Sequence, residues 1–265
     1  MRRSTPNCEA VAEAQRAFLT AIKALDRDAL DARIAALEPF ANEGRKSRLR
    51  AVIDARLDSV TVLFDSPYDP HNGGAVLRSC DAFGIQRLHV IERRQSFLAS
   101  REVARGSERW VEALSYPSAV PAADALLAQG FELVATATDG DLLPEDLARI
   151  DRVAIVLGNE RWGIHDELGD RCTRRVRVPM RGFVESLNVS VTAAILLSAA
   201  TRGRAGDLTE VERSRLYLRA LAFTLPRAPE ILAARGFAPL PMPDTQVTEE
   251  PWRGRAAAAS MERRR

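Results

Sequence analysis

The chain has 265 residues, 46% hydrophobic and 28% charged, which suits one globular domain with extensions or two small domains. No apolar run reaches the roughly 18 residues of a membrane span, and the N-terminus MRRSTPNCEA lacks the apolar stretch of a secretory leader. The net charge of +2 argues neither for nor against a polyanionic partner. Cys8, Cys80 and Cys172 are far apart and odd in number. Neither a disulfide framework nor a CxxC metal pair is expected, and a reducing cytoplasm is the simplest setting.

Residues 9–57 read as helices. Val11, Ala14, Phe18, Ile22 and Leu25 recur at three- and four-residue steps, as do Leu30, Ile34 and Leu37 before Pro39 closes the second helix. A third helix, 43–57, carries Arg45, Lys46, Arg48, Arg50 and Arg56. It is either a solvated face or a basic surface that meets nucleic-acid phosphates. On the second reading Arg45, Arg48 and Arg50 are the candidates for nucleic-acid contact. Lys23 and Lys46 are the only lysines; the arginine excess reads first as composition bias, and alternatively as bidentate grip on phosphate.

From residue 59 short β-branched runs alternate with helical stretches. Strands are expected over 59–64, 87–91, 131–137, 152–158 and 174–179, and helices over 74–83, 118–129 and 188–201. This alternation predicts an α/β fold, a mostly parallel sheet with helices on both faces. Pro67 and Pro70 precede the first of these helices, Gly84 follows it, and Gly130 precedes a strand. After Arg202 the chain turns polar and resumes as a helix over 209–223. An irregular segment follows, marked by Pro226, Pro229, Pro239, Pro241 and Pro243, and the tail RGRAAAASMERRR is expected to be disordered. The organisation is thus a helical N-terminal extension (1–58), an α/β domain (59–204) and a helical, then proline-rich, C-terminal extension (205–265).

Three clusters place polar groups where strands give way to helices, a common ligand site in α/β folds. The first runs from Asp69 to Asp81. Asn72 stands where an N-cap is wanted. Arg78 and Asp81 are three apart on a helix, so an exposed ion pair is the plain account of Arg78 and recruitment to a site the alternative. The second is Leu157-Gly158-Asn159-Glu160-Arg161-Trp162-Gly163. Gly158 lets a ligand approach the backbone, Glu160 complements a helix N-terminus, and Trp162 reads as packing before base stacking. The third, Val178 to Leu197, sets Glu185, Ser186, Asn188 and Ser190 at the start of an apolar helix. Ser186 or Asn188 could cap that helix, yet four polar residues exceed what one cap needs. No GxGxxG, GxxxxGK[ST] or HExxH motif is present, nor the usual methyltransferase glycine fingerprint.

Taken in this order, the clusters resemble the motifs of the SpoU (TrmH-type) branch of the SPOUT superfamily of RNA 2′-O-methyltransferases. Asn72-x-x-Ala75-x-x-Arg78 resembles the first motif and Leu157-Gly158-x-Glu160-x-x-Gly163 the second. Pro179-Met180-x-Gly182-x-x-x-Ser186-Leu187-Asn188-Val189-Ser190 resembles the third, and the likeness spans residues 59–202. It implies a C-terminal trefoil knot, a rare feature in proteins. It implies that the knot binds S-adenosylmethionine, largely through backbone groups, at Thr136, Leu157, Gly158, Val178, Met180 and Leu187. It implies a homodimer that shares each active site, with helix 189–200 in the interface or in the core.

The chemistry implied is transfer of a methyl group from a sulfonium to a ribose 2′-hydroxyl of RNA. Arg78, Asn72, Glu160, Ser186 and Asn188 form the implied catalytic set, with no metal. A guanidinium has only donors and a pKa above about 12. Arg78 is therefore read as a phosphate clamp that orients the ribose, the departing proton being shared among phosphate, solvent and a transiently neutral Arg78. The helical extensions resemble the tRNA enzymes that methylate a D-loop guanosine more than the larger ribosomal members. The segment 228–241 is also similar to the C-terminal region of some of these tRNA enzymes. Ribosomal RNA is the alternative substrate. A non-catalytic RNA-binding or assembly protein on the same fold is the third reading, and the motif decay it requires is not seen.

Overall fold

The computed structural model describes residues 8–93, 104 and 106–243, with side chains from residue 13. The tail expected to be disordered lies outside these residues, as does the side chain of Val11. The elements begin with α1 (Cys8–Lys23), α2 (Arg27–Leu37), α3 (Glu43–Asp54), β1 (Val60–Asp65), α4 (Pro70–Ala82), β2 (Arg87–Ile91) and β3 (Glu112–Tyr116). They continue with α5 (Ala119–Leu127), β4 (Glu132–Thr136), β5 (Val153–Leu157), α6 (Asp166–Gly169) and β6 (Arg174–Val176). Last come α7 (Val189–Ala200), α8 (Glu210–Thr224) and α9 (Ala228–Ala234). No helix of the described residues is long and apolar enough to cross a membrane.

The sheet has six strands, all parallel, in the order β3-β2-β1-β5-β4-β6. Val62 pairs with Leu88 on one side and Ile155 on the other. Successive side chains point to opposite faces. Val62, Phe64, Ile155 and Leu157 meet Val76, Leu77, Leu196 and Leu197 of α4 and α7. Leu63, Leu133, Ala154 and Val156 meet Ala122, Ala123 and Leu126 of α5 on the other face. The strand order turns back between β1 and β5, so a crevice opens at their carboxyl ends, where open α/β sheets take ligands.

A second core lies apart from the sheet. Phe18, Ile22, Leu30, Leu37 and Ile53 of the first three helices pack with Leu216, Leu218 and Leu221 of α8 and Leu232 of α9. Asp26 and Asn42 cap α2 and α3, accepting from the N–H groups of Ala29 and Arg45 at 2.8 Å.

Several expectations need correction. β3 was absent from the sequence pattern: EALSY is an edge strand with Glu112 its one buried residue, and it pairs in parallel with β2. The strand expected over 174–179 stops at Val176, and residues 177–180 leave the sheet. The proline-marked segment after 226 contains α9, with Pro229 in its first turn, where no N–H is needed. Asp69, not Asn72, caps α4, accepting from the His71 N–H at 2.8 Å, and Pro70 opens the helix. Asn72 sits inside the first turn, with its side chain free for other work.

Asp81 does not pair with Arg78. Its Oδ1 accepts at 2.8 Å from Nη1 of Arg56, a side chain only 2% exposed, whose Nη2 donates to the Ile85 carbonyl at 2.8 Å. This part-buried pair joins the end of α3 to α4 and to the entry of β2.

His89 on β2 is buried, and its ring stacks on Tyr116, whose hydroxyl shares a hydrogen bond of 3.0 Å with Nδ1. Burial first, then the charge of Arg87, pushes its pKa down to about 4. Between that value and the ordinary one near 6.5 the unfolded chain binds a proton that the native one refuses. Stability should therefore fall by about 3 kcal/mol as pH drops through this window. In His89→Gln, urea midpoints between pH 4 and 6.5 should flatten correspondingly; an unchanged slope would assign the acid sensitivity to carboxylates instead.

Candidate active site

Loops following β4, β5 and β6 converge on a cavity of about 1060 Å³. Thr136, Leu157, Gly158, Val178, Met180 and Leu187, the six expected cofactor positions, all line it. A Cβ on Gly158 would lie 2.5 Å from the carbonyl carbon of Gly163 and 2.6 Å from the nitrogen of Ile164. Only glycine fits there, because the 159–163 turn folds back on itself with reciprocal Asn159 and Gly163 backbone hydrogen bonds of 2.8 Å. The Thr136 hydroxyl donates to the Val156 carbonyl at 3.0 Å. Among the described residues the backbone groups of Val178, Met180 and Leu187 have no hydrogen-bond partner. Free amide groups between apolar side chains, in a cleft of this size, fit a nucleoside cofactor such as S-adenosylmethionine.

A directional chain of side chains runs along the rim. Asn188 caps α7: its Oδ1 accepts from the Ser190 N–H at 2.8 Å and from the Ser190 hydroxyl at 2.7 Å. Its Nδ2 therefore faces away and donates to Oδ1 of Asn72 at 3.0 Å. Nδ2 of Asn72 in turn donates to Oε1 of Glu160 at 2.8 Å, and Oε2 of Glu160 accepts from the Tyr68 N–H at 3.1 Å. Each amide has one orientation that satisfies both neighbours, and an ionised carboxylate, which only accepts, ends the chain. Asn72, Glu160 and Asn188, taken from three separate segments, are thus in one network. Glu185 and Ser186 are exposed and line the same cavity.

Arg78 is not part of that network. It is exposed on α4, lines no part of this cavity, and makes no hydrogen bond or ion pair among the described residues. The arginines expected to meet RNA lie on α3. Arg45 donates to the Thr224 carbonyl at 3.2 Å, and Arg50 pairs with Glu38 and lies over the Tyr217 ring at 5.3 Å. Both tie α3 to the helical core, and Arg48 is exposed beside them. Trp162, expected to pack, is 62% exposed. Burial pushes the thiols of Cys80 and Cys172 up to about 12 and about 11, so both stay protonated at neutral pH. Tyr68 was not singled out in the sequence, since its contribution to the network is a backbone N–H.

A family model described as the SpoU rRNA Methylase family matches residues 59–198. The tRNA (guanosine(18)-2′-O)-methyltransferase of Thermus thermophilus is 34% identical over 165 residues, covering 61% of this chain and 84% of the relative. The crystal structure of the A. aeolicus TrmH/SpoU tRNA modifying enzyme superposes with a TM-score of 0.61 at 28% identity, over 68% of this chain and 96% of that one. The SpoU methyltransferase AviRb of Streptomyces viridochromogenes, solved in complex with the cofactor AdoMet, gives a TM-score of 0.50 at 30% identity, over 59% and 62% of the two chains. The matched span exceeds half of the sequence and contains every residue of the rim network, so the chain belongs to the SpoU methylase family.

Proposed function

We propose that this protein methylates a ribose 2′-hydroxyl of RNA, with a D-loop guanosine of tRNA as its substrate. The carrying observation is the Asn188–Asn72–Glu160 network, which joins three loops at the rim of the cofactor-sized cavity. S-adenosylmethionine, when bound there, supplies an electrophilic methyl group. Thr136, Leu157, Gly158, Val178, Met180 and Leu187 hold it, chiefly through their backbone. Asn72, Glu160, Ser186 and Asn188 fix the ribose so that its oxygen approaches the methyl carbon in line. Arg78 clamps the adjoining phosphate, and the hydroxyl proton leaves to phosphate or solvent.

Residues 59–204 act as the catalytic domain, flanked by extensions at 1–58 and 205–265 whose described parts are mainly helical, in a cytoplasmic protein. A trefoil knot at the cavity is supported by the close packing of residues 137–142 along β6, where Leu142 forms a parallel bridge with Val176. There Leu142 donates to the Arg175 carbonyl at 2.9 Å, and a Cβ on Gly140 would lie 2.7 Å from the carbonyl carbon of Val176. A homodimer is supported by the position of Arg78, which stands off its own cavity and would serve that of a partner. The outer face of α7, with Val191 exposed, suits the contact. Arg45, Arg48 and Arg50 remain the candidates for phosphate contact on α3.

The tRNA name of the Thermus thermophilus relative favours tRNA, whereas the rRNA description of the family favours ribosomal RNA as the second reading. Labelled S-adenosylmethionine should be offered in parallel with unmodified tRNA transcript and ribosomal RNA fragments. Label mapped to a tRNA ribose is the expected result. Label in ribosomal RNA alone would replace the substrate, and cofactor binding with RNA binding but no label would support a non-catalytic role.

A further inference from the structure

A second cleft, of about 460 Å³, opens beside the first at the crevice between β1 and β5. Asn159, Gly163 and Ile164 line both, so one turn is the wall between them. Asp65, at the end of β1, is 2% exposed. Its Oδ1 accepts from Nε of Arg93 at 3.1 Å, and its Oδ2 from the His165 N–H at 3.0 Å. Arg93 Nη1 reaches Glu167 at 3.3 Å. Among the described residues Arg93 Nη2 is buried with no hydrogen-bond partner. A buried donor left unsatisfied costs on the order of 1–3 kcal/mol, and here it sits on a guanidinium whose other nitrogens are fixed in place.

The remaining walls are flat and aromatic. Trp162 and Tyr68 both line the cleft and are both exposed, and the Arg161 guanidinium lies 3.8 Å over the Tyr68 ring. Ser66 takes the left-handed backbone conformation at φ 52°, held by the Asn159 side chain donating to its carbonyl. Aromatic faces with one directed donor are the usual apparatus for an unstacked nucleobase. The backbone N–H of Tyr68 is also the last link of the rim network. A base held at Tyr68 would leave its own ribose beside Glu160 and Asn72.

Resting on the methylation reading above, we propose that this cleft takes the flipped-out base of the nucleotide being methylated. Arg93 Nη2 donates to O6 of guanine, Trp162 stacks on the ring, and Asp65 positions Arg93. Adenine carries an amino donor in place of O6, so it leaves Nη2 unpaired and is rejected.

The test compares wild type with Arg93→Lys, which keeps a cation on Asp65 but loses the fork, and with Trp162→Ala. Transcripts carry guanosine, inosine or adenosine at the methylated position. Wild type should accept guanosine and inosine alike and disfavour adenosine at least about 100-fold in kcat/KM. Arg93→Lys should shrink that ratio at least about tenfold, and Trp162→Ala should raise KM for RNA with kcat little changed. Affinity for S-adenosylmethionine should stay unchanged in both. An unaltered guanosine-to-adenosine ratio in Arg93→Lys overturns the proposal. Should no RNA be methylated, the methylation reading falls. The cleft is then judged by filter binding of cofactor-free protein to a loop oligonucleotide with an unpaired guanosine, and equal affinity of wild type and Arg93→Lys overturns it.

Discussion

Arg78→Ala should lose at least about 100-fold in single-turnover methyl transfer, while unfolding within about 0.5 kcal/mol of wild type. Both halves follow from its setting. Arg78 is exposed and without a hydrogen bond or ion pair among the described residues, so its removal leaves no unsatisfied neighbour. The natural partner on its own helix, Asp81, is already engaged by Arg56. An arginine kept free in this way, six residues beyond Asn72, has its guanidinium available to a phosphate. The measurement is label transfer to RNA beside a urea titration. Normal transfer would remove Arg78 from the machinery, and a large stability loss would make its role structural. Mixing Arg78→Ala with a variant defective in the cavity would also test the shared site. Partial recovery of activity is expected if one subunit's arginine serves its partner's cavity.

Asp81→Ala should cost the fold about 3 kcal/mol, the low end of the range for a buried pair, because the arginine is buried and the carboxylate partly exposed. Arg56 would keep its charge in a site almost closed to water, with only the Ile85 carbonyl and no counter-ion. Among the described residues its Nε already lacks a partner, so there is no slack in the arrangement. Replacing both residues together, Arg56→Met with Asp81→Leu, should recover part of the loss, because the stranded charge rather than the missing bond dominates. Denaturant midpoints of the two variants decide the matter: a double variant weaker than the single one would show that the pair stabilises outright.

The parallel sheet was legible because its central strands are buried on both faces and read as near-continuous apolar, β-branched runs, VTVLF and VAIVL. β3 was not, because an edge strand needs only one buried position, and EALSY carries no β-branched residue. α9 was hidden by the two prolines at its entry, which mark turns and helix starts alike. In the candidate site, Glu185, Ser186, Asn188 and Ser190 stood out as more polar residues than one cap needs, whereas Asn72 and Glu160 read first as helix N-terminal groups and joined the site through the resemblance. Asp65, Tyr68 and Arg93 did neither. Asp65 ends an apolar strand, Tyr68 contributes a backbone group to the network, and the pairing of Arg93 with Asp65 spans 28 positions. The ion pair read between Arg78 and Asp81 failed for the same reason: Arg56, 25 residues away, reaches Asp81 first.

The second core has a consequence for how the chain comes into being. Its two halves belong to opposite ends of the sequence: the Tyr217 hydroxyl donates to Glu38 at 2.9 Å across 179 positions. At a synthesis rate of roughly 5–20 residues per second, the first helices wait about 10–35 s for their partners. During that interval Phe18, Leu30 and Leu37 are apolar surface without cover, while the strands of the sheet emerge and pair between them. On that schedule the ends close last, as a clasp beside the sheet, so removing the helices of either half opens the same clasp.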